Sequence, residues 1–347
     1  MKAELYQIPF TFVRDAVTSR NVLTCKNHFF LKIDNGLRNG WGECAPIMGL
    51  TPESEPEIVN ELKDLCAHIN SENSSQFVFR CSAVQMAFEM AMAMISSREK
   101  GKYFGCNDHF CLSVNGLVWM NSKEEMLDDA LALISQGFAV IKLKVDFKKM
   151  DDISWVLSQL RSQHNADTLK IRLDANGSFP GNKAVSSLNE LSVFEIDSLE
   201  QPIAVGSWKE MSHICKVSPI RIALDEELIR TEDPKLRTRL LQEVNPSFLV
   251  LKPSLHGGLA SCEDWIERCA QQGVGWWCTS YLESNLGLAA LAQWLSLRDN
   301  GQTHGLGTGK LYHQNFNIPA RVESGKLEWN GCFSPSLESF PDITKLC

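Results

Sequence analysis

The chain has 347 residues, 44% hydrophobic and 22% charged, with a formal net charge of −8. That length exceeds the ~100–200 residues of one ordinary domain and the composition is that of a folded chain, so disorder is excluded and two cored units are expected. Excess negative charge without a dense Lys/Arg cluster excludes a nucleic-acid or anionic-membrane partner, leaving small molecules.

The 12 cysteines are scattered, with no C-x-x-C pair and no paired cysteine and histidine spacing that suits zinc, and read as small buried hydrophobes. No uncharged apolar run reaches the ~18 residues of a membrane span, and the Met1–Tyr6 start has no signal-like apolar core. A reducing cytoplasm is expected. Monomer and homo-oligomer both stay open.

Residues 1–105 read as a separate α+β unit. Tyr6 to Val13 and Asn21 to Ile33 have strand composition, and Asp34-Asn35-Gly36 supplies turn chemistry ahead of Gly40-Trp-Gly-Glu-Cys-Ala-Pro46. Thr51-Pro52 with Glu53 and Glu55 resembles a helix start, and Ser82 to Met94 forms a second helix whose Met86, Met90 and Met94 stripe is core packing rather than a cofactor contact. Residues 101–109 connect to the next unit.

From Phe110 onward strands and helices alternate. Phe110 to Val118 opens the series, and Ser122-Lys-Glu-Glu125 fits a capping box for a helix that Gly137 ends in a left-handed turn. Five apolar runs then each end in a charge: Phe138–Lys144, Leu169–Asp174, Phe194–Glu200, Ile220–Asp225 and Phe248–Lys252. The charged ends are 30, 26, 25 and 27 residues apart, the length of one strand, one crossover helix and two loops. Helices are expected at Asp151–Gln163, Lys183–Leu191, Pro234–Glu243, Ser261–Gln272 and Ser284–Leu297, and further short strands at Trp276–Ser280 and His304–Gly307. Eight strands in this alternation predict an α/β chain with a TIM-like barrel across 106–310. Residues 311–347 are too few to fold alone and are expected to return to the first unit.

The charges carry the chemistry. Residues two apart on a strand share a face, so Lys142 and Lys144 point together into the barrel while Ile141 and Leu143 face the helices. Buried ammonium groups are costly without partners, and like charges within reach lower a lysine pKa, as a general base requires; Lys144, nearer the strand end, is the better base. Asp174, Glu200 and Asp225 end three successive strands at the face where barrel active sites lie. Three carboxylates repel one another unless a cation joins them, and oxygen-only ligands suit a hard octahedral ion, which points to Mg²⁺, with Mn²⁺ the close alternative. Lys252 enters across the barrel from Lys144.

The set Lys-x-Lys (142, 144), Asp-x-Asn (174, 176), Glu200, Asp-Glu (225, 226) and Lys252 resembles the enolase superfamily, and within it the muconate-lactonizing-enzyme subgroup, over nearly the whole chain. That resemblance implies a modified (β/α)₇β barrel under an N-terminal α+β capping domain, with Mg²⁺ on Asp174, Glu200 and Asp225 and lysine acid–base catalysis. It implies that a loop near Asp15 to Arg20 closes over substrate. No histidine catalyst stands on the seventh strand, as in mandelate racemases, and no Asp-x-Asp near 304–309, as in dipeptide epimerases, so both activities recede.

Three local features narrow the expectation to members that dehydrate a succinyl-hydroxycyclohexadiene carboxylate for menaquinone biosynthesis. They are Thr279-Ser-Tyr-Leu-Glu-Ser284 with Gly287-Leu288, whose amide-rich helix start could hold a carboxylate; His304-Gly-Leu-Gly-Thr-Gly309, where backbone amides can approach a ligand; and Gly42-Glu-Cys-Ala-Pro46 with Gly49-Leu50. Ser280, Gly307 and Thr308 would then take the succinyl tail, and Asn176, Glu226 and Arg172 stand near the metal face. Arg172 suits either a substrate contact or a core ion pair. An N-succinylamino acid racemase, another acid epimerase or cycloisomerase, and a binding-only barrel remain alternatives.

Overall fold

Residues 1–17, 22–71, 76–99, 101–231, 233–298 and 300–347 are described in the computed structural model. Two long strands, β1 (Lys2–Val17) and β2 (Val22–Asp34), pair antiparallel from Lys2↔Asp34 to Thr11↔Cys25, shift register, and resume at Ala16↔Leu23. Of the loop expected near Asp15 to Arg20, residues 18–20 lie outside the described residues. The Asp34 carboxylate accepts from Gly36 N at 2.7 Å, Gly36 adopts φ +86°, and the chain reverses into β3 (Asn39–Cys44). The short C-terminal strand Thr344–Lys345 pairs with the far side of β1.

One face of this sheet packs on α1 (Glu55–Asn70) and α2 (Ser82–Ser96). The α1 start is three to four residues later than Thr51-Pro52 suggests, because Ser54 and Glu57 close the cap: Ser54 N and Oγ both donate to Glu57 Oε2, at 2.8 and 2.7 Å. Met86 and Met90 are fully buried as expected. The alternate glycines of β3 have a steric reason. A Cβ on Gly42 would stand 1.7 Å from the Ala87 carbonyl oxygen, and one on Gly40 would stand 2.0 Å from that of Ala91. Gly42→Ala must push α2 off the sheet, and a loss of about 3 kcal/mol is expected, read as a lower denaturant midpoint at unchanged m.

The second layer is a parallel sheet. Its strands are β5 (Gly116–Val118), β6 (Val140–Lys144), β7 (Lys170–Asp174), β8 (Ser198–Glu200), β9 (Ile222–Leu224), β10 (Phe248–Leu251) and β11 (Gly275–Cys278), in spatial order β11 to β5. The sheet curls, and residues 304–305 tie its two edges together: His304 bridges Val114 and Gly305 bridges Thr279, both in parallel sense. The single strand expected over Phe110–Val118 is two. Its first half, β4 (His109–Ser113), pairs antiparallel with Lys326–Asn330, which in turn pairs with Ala320–Glu323; only the second half, β5, joins the parallel sheet.

Helices follow the strands as α3 (Lys123–Ser135), α4 (Met150–Gln163), α5 (Gly181–Ser192), α6 (Trp208–Val217), α7 (Pro234–Val244), α8 (Gly258–Gln272) and α9 (Asn285–Ser296). Ser122 caps α3, accepting from Glu125 N at 3.3 Å and donating to its carboxylate at 2.7 Å, and Gly137 takes φ +87° after it. Helix α6 has no counterpart in the sequence reading. It buries only Met211 and Ile214, one i,i+3 pair, too short a stripe to register as a period. Between the helices and the sheet lies the outward set Ile141, Leu143, Ile171, Leu173 and Leu199, all fully buried. Among the described residues, no helix is long and apolar enough to cross a membrane.

Candidate active site

Strand register brings the charges together. Lys144 pairs with Asp174, Asp174 with Glu200 and Glu200 with Ala223, so Asp225, two residues on, keeps the same face; Ala223 pairs with Phe248, four residues before Lys252. Every one of these side chains is at the C-terminal end of its strand. Asn176, in the left-handed region at φ 43°, turns back so that its N–H donates to Asp174 Oδ1 at 3.2 Å and its Nδ2 to Glu226 Oε1 at 2.9 Å.

The lysines and carboxylates form one buried network. Lys142 Nζ donates to both Glu200 oxygens, at 2.8 and 2.7 Å, and lies 2.8 Å from Asp174 Oδ2. Lys144 Nζ donates to Asp174 Oδ2 at 2.6 Å and Asn176 Oδ1 at 2.9 Å, and Lys252 Nζ pairs with Asp225 Oδ2. Burial works against the Lys142 and Lys252 ammonium groups, but the surrounding carboxylates outweigh it and hold both above ordinary lysine. Burial, then the charges of Asp174 and Asp225, push Glu200 up to about 8 despite its contact with Lys142.

Four carboxylates (Asp174, Glu200, Asp225, Glu226) thus face three ammonium groups, and among the described residues Asp225 Oδ1 and Glu226 Oε2 are buried without a hydrogen-bond partner. This excess of anionic oxygen fits a divalent cation. Among the described residues no group of three His, Cys, Asp or Glu is spaced to hold one, since the lysines draw the carboxylates to themselves.

A cavity open to solvent lies over this network. Lys142, Lys144, Lys252, Asn176 and Glu226 line its floor, and Ile47, Met48, Gly49 and Leu50 come from the first layer. Ser280, Gly307 and Thr308 line it as well. Arg172 does not. Its guanidinium donates to the Thr303 carbonyl at 2.8 Å, lies 3.4 Å from Asp197 and stacks 4.0 Å from the Trp277 ring, the surroundings of a core ion pair. The sequence reading missed Asn115, Trp119 and Tyr281 in the lining. Asn115 sits in Val-Asn-Gly at the break between β4 and β5, a breaker signal that a single expected strand hides.

The start of α9 does hold a carboxylate, but the chain's own. Glu43 accepts from Ser284 N at 2.7 Å, Ser284 Oγ at 2.6 Å and Gly287 N at 2.7 Å, which leaves those amides closed to a substrate. His28 Nδ1 meets the other side of Glu43 at 2.5 Å, and buried Lys26 donates to Ala45 O at 2.9 Å and Tyr281 O at 3.3 Å, fastening the two cavity walls together.

Burial, then the Lys26 charge, push His28 down to about 4, so it stays neutral while unfolded chains protonate near 6.5. The unfolded state therefore binds more protons between those values, and stability falls with falling pH. Relative to His28→Gln, the wild type is expected to lose roughly 3 kcal/mol from pH 6.5 to 4, read from denaturant unfolding at each pH.

Residues 125–330 match the enolase C-terminal domain-like family, and the chain belongs to it. The o-succinylbenzoate synthase of Desulfotalea psychrophila is 35% identical over 352 residues, covering 91% of this chain and 95% of that one. A crystal structure of MenC from Desulfotalea psychrophila superposes with a TM-score of 0.83 at 33% identity, covering 94% of this chain and 99% of that one. The dipeptide epimerase of Cytophaga hutchinsonii, solved with Mg and D-Ala-L-Val, shares the fold at a TM-score of 0.83 and 20% identity, covering 99% and 98%. The superfamily resemblance expected from the Lys-x-Lys and carboxylate set is borne out.

Proposed function

We propose that the chain is a lyase that dehydrates 2-succinyl-6-hydroxy-2,4-cyclohexadiene-1-carboxylate to o-succinylbenzoate, the product its relatives are named for, as a step of menaquinone biosynthesis. The observation that carries this reading is the pair Lys144 and Lys252, which line one cavity while each holds a carboxylate of the same buried network. The architecture reads as a (β/α)₇β barrel over 106–310 with 1–105 as a capping domain; of 311–347 the two ends return to β1 of the cap, while the 320–330 hairpin pairs with β4 instead, and the edge-tying bridges at 304–305 support the barrel.

A Mg²⁺ ion, or Mn²⁺, held by Asp174, Glu200 and Asp225 would supply the positive charge for a substrate carboxylate whose oxygens gain charge as the α-proton leaves. Lys144, released from Asp174, takes that proton. The C–O bond to the ring hydroxyl then breaks, and Lys144 returns the proton to it, so water leaves and the ring becomes aromatic. Lys252 keeps its proton and places charge on the opposite side. Lys142 holds Glu200 and Asp174 in place and adjusts the field at Lys144. Asn176 and Glu226 flank the reacting carboxylate, with Ser280, Gly307 and Thr308 toward the succinyl tail.

Opposed lysines equally suit an N-succinylamino acid racemase. A dehydration assay on the purified protein, with Mg²⁺ added and then chelated, tests the proposal: product formation that needs the ion supports it, and none in either condition defeats it. Deuterium entering an N-succinylamino acid with inversion identifies the racemase.

A further inference from the structure

The loop after Lys252 buries a histidine that the mechanism does not use. His256 is 4% exposed, and the Lys252 backbone N–H donates to its Nδ1 at 3.1 Å. A ring nitrogen that accepts from an amide carries no proton, so the ring proton is on Nε2. Among the described residues that Nε2 is buried without a hydrogen-bond partner, and it lies 3.9 Å from Asp225 Oδ1, an oxygen equally buried and without a hydrogen-bond partner there. The other oxygen of the carboxylate is occupied by Lys252 Nζ. A donor and an acceptor thus face each other across a gap slightly too long for a hydrogen bond, each left unsatisfied. A shift of about 1 Å in the Asp225 carboxylate closes it.

We propose that His256 is a positioning residue for the divalent-cation site: its Nε2–H holds Asp225 Oδ1 and so presents Oδ2 to the cavity. The inference rests on the reading of Asp225 as a cation ligand. A ring that only filled space would not need its proton directed at a ligand, nor a main-chain N–H to fix the tautomer. Lys252 supplies both that N–H and the ammonium on Oδ2, so one residue aligns both oxygens of Asp225. Partners of this kind typically change metal affinity 10–100-fold when removed.

The test measures Mn²⁺ and Mg²⁺ affinity by calorimetry on chelator-stripped full-length protein, without reference to turnover. His256→Leu is expected to bind 10–100-fold more weakly, and His256→Gln, whose amide N–H can still donate, within a few-fold of wild type. Asp225→Asn is the control. If it retains wild-type affinity, the cation-site reading itself fails; if it loses binding while His256→Leu does not, only the role of His256 fails. Should His256→Leu not fold, ¹⁵N spectra of the wild-type imidazole decide: an Nε2–H tautomer whose resonance moves on Mg²⁺ addition supports the proposal, and an Nδ1–H tautomer or an unmoved resonance overturns it.

Discussion

Lys144→Ala is expected to lower kcat by about 10³-fold while leaving the protein folded. The expectation follows from how unevenly the two lysines of β6 are engaged. Lys142 is buried and donates to both oxygens of Glu200 while also contacting Asp174, so removing it strands two buried carboxylates. Lys144 is the less enclosed of the two, with a side chain 13% exposed, and Asp174 keeps Lys142 at 2.8 Å when Lys144 is gone. Its loss therefore spares the network and removes the proton carrier, and positioned general acid–base groups contribute about 10²–10⁴-fold. Steady-state kinetics beside a thermal melt check this. A kcat within tenfold of wild type would disprove Lys144 as the base, and a collapsed melting temperature would show that it is structural.

The parts of this site that were legible in the sequence are those governed by local periodicity. A strand alternates faces, so Lys142 and Lys144 had to share one; a parallel sheet repeats at the length of a strand and its crossover, so the acids of β7, β8 and β9 had to gather at one edge. Strands as short as Ser198–Glu200 and Ile222–Leu224 were visible because one of those acids ends the first and directly follows the second. What escaped depends on contacts between distant residues. Glu43 reaches Ser284 across 241 positions, and Arg172 reaches Thr303 across 131, and nothing near either residue encodes the partner. The helix start at Ser284 was read correctly as a place for a carboxylate; which carboxylate is a tertiary fact. Arg172 shares a strand face with Asp174, but two residues lower on β7 that face looks onto Trp277 and Asp197 rather than the cavity.

Glu200→Gln should separate the stability of the site from its cation affinity. In the metal-free chain Glu200 is enclosed, burial and the charges of Asp174 and Asp225 oppose its ionisation, and its pKa rises to about 8. A neutral side chain of the same shape replaces a group that folding drives toward neutrality, but its NH2 faces Lys142 Nζ where a carboxylate oxygen accepted, and the metal-free variant is expected to lose about 1–3 kcal/mol against wild type. Cation binding must remove that proton, so wild-type affinity should weaken by up to about tenfold per pH unit below 8 and level off above it. In the variant that slope disappears together with most of the affinity, since one anionic ligand is gone. Melting with and without excess Mg²⁺ reads both effects, because an ion at 100 times its Kd stabilises the wild type by about 2.7 kcal/mol. Equal Mg²⁺ stabilisation of both proteins would remove Glu200 from the ligand set, and with it the charge argument on which the cation site rests.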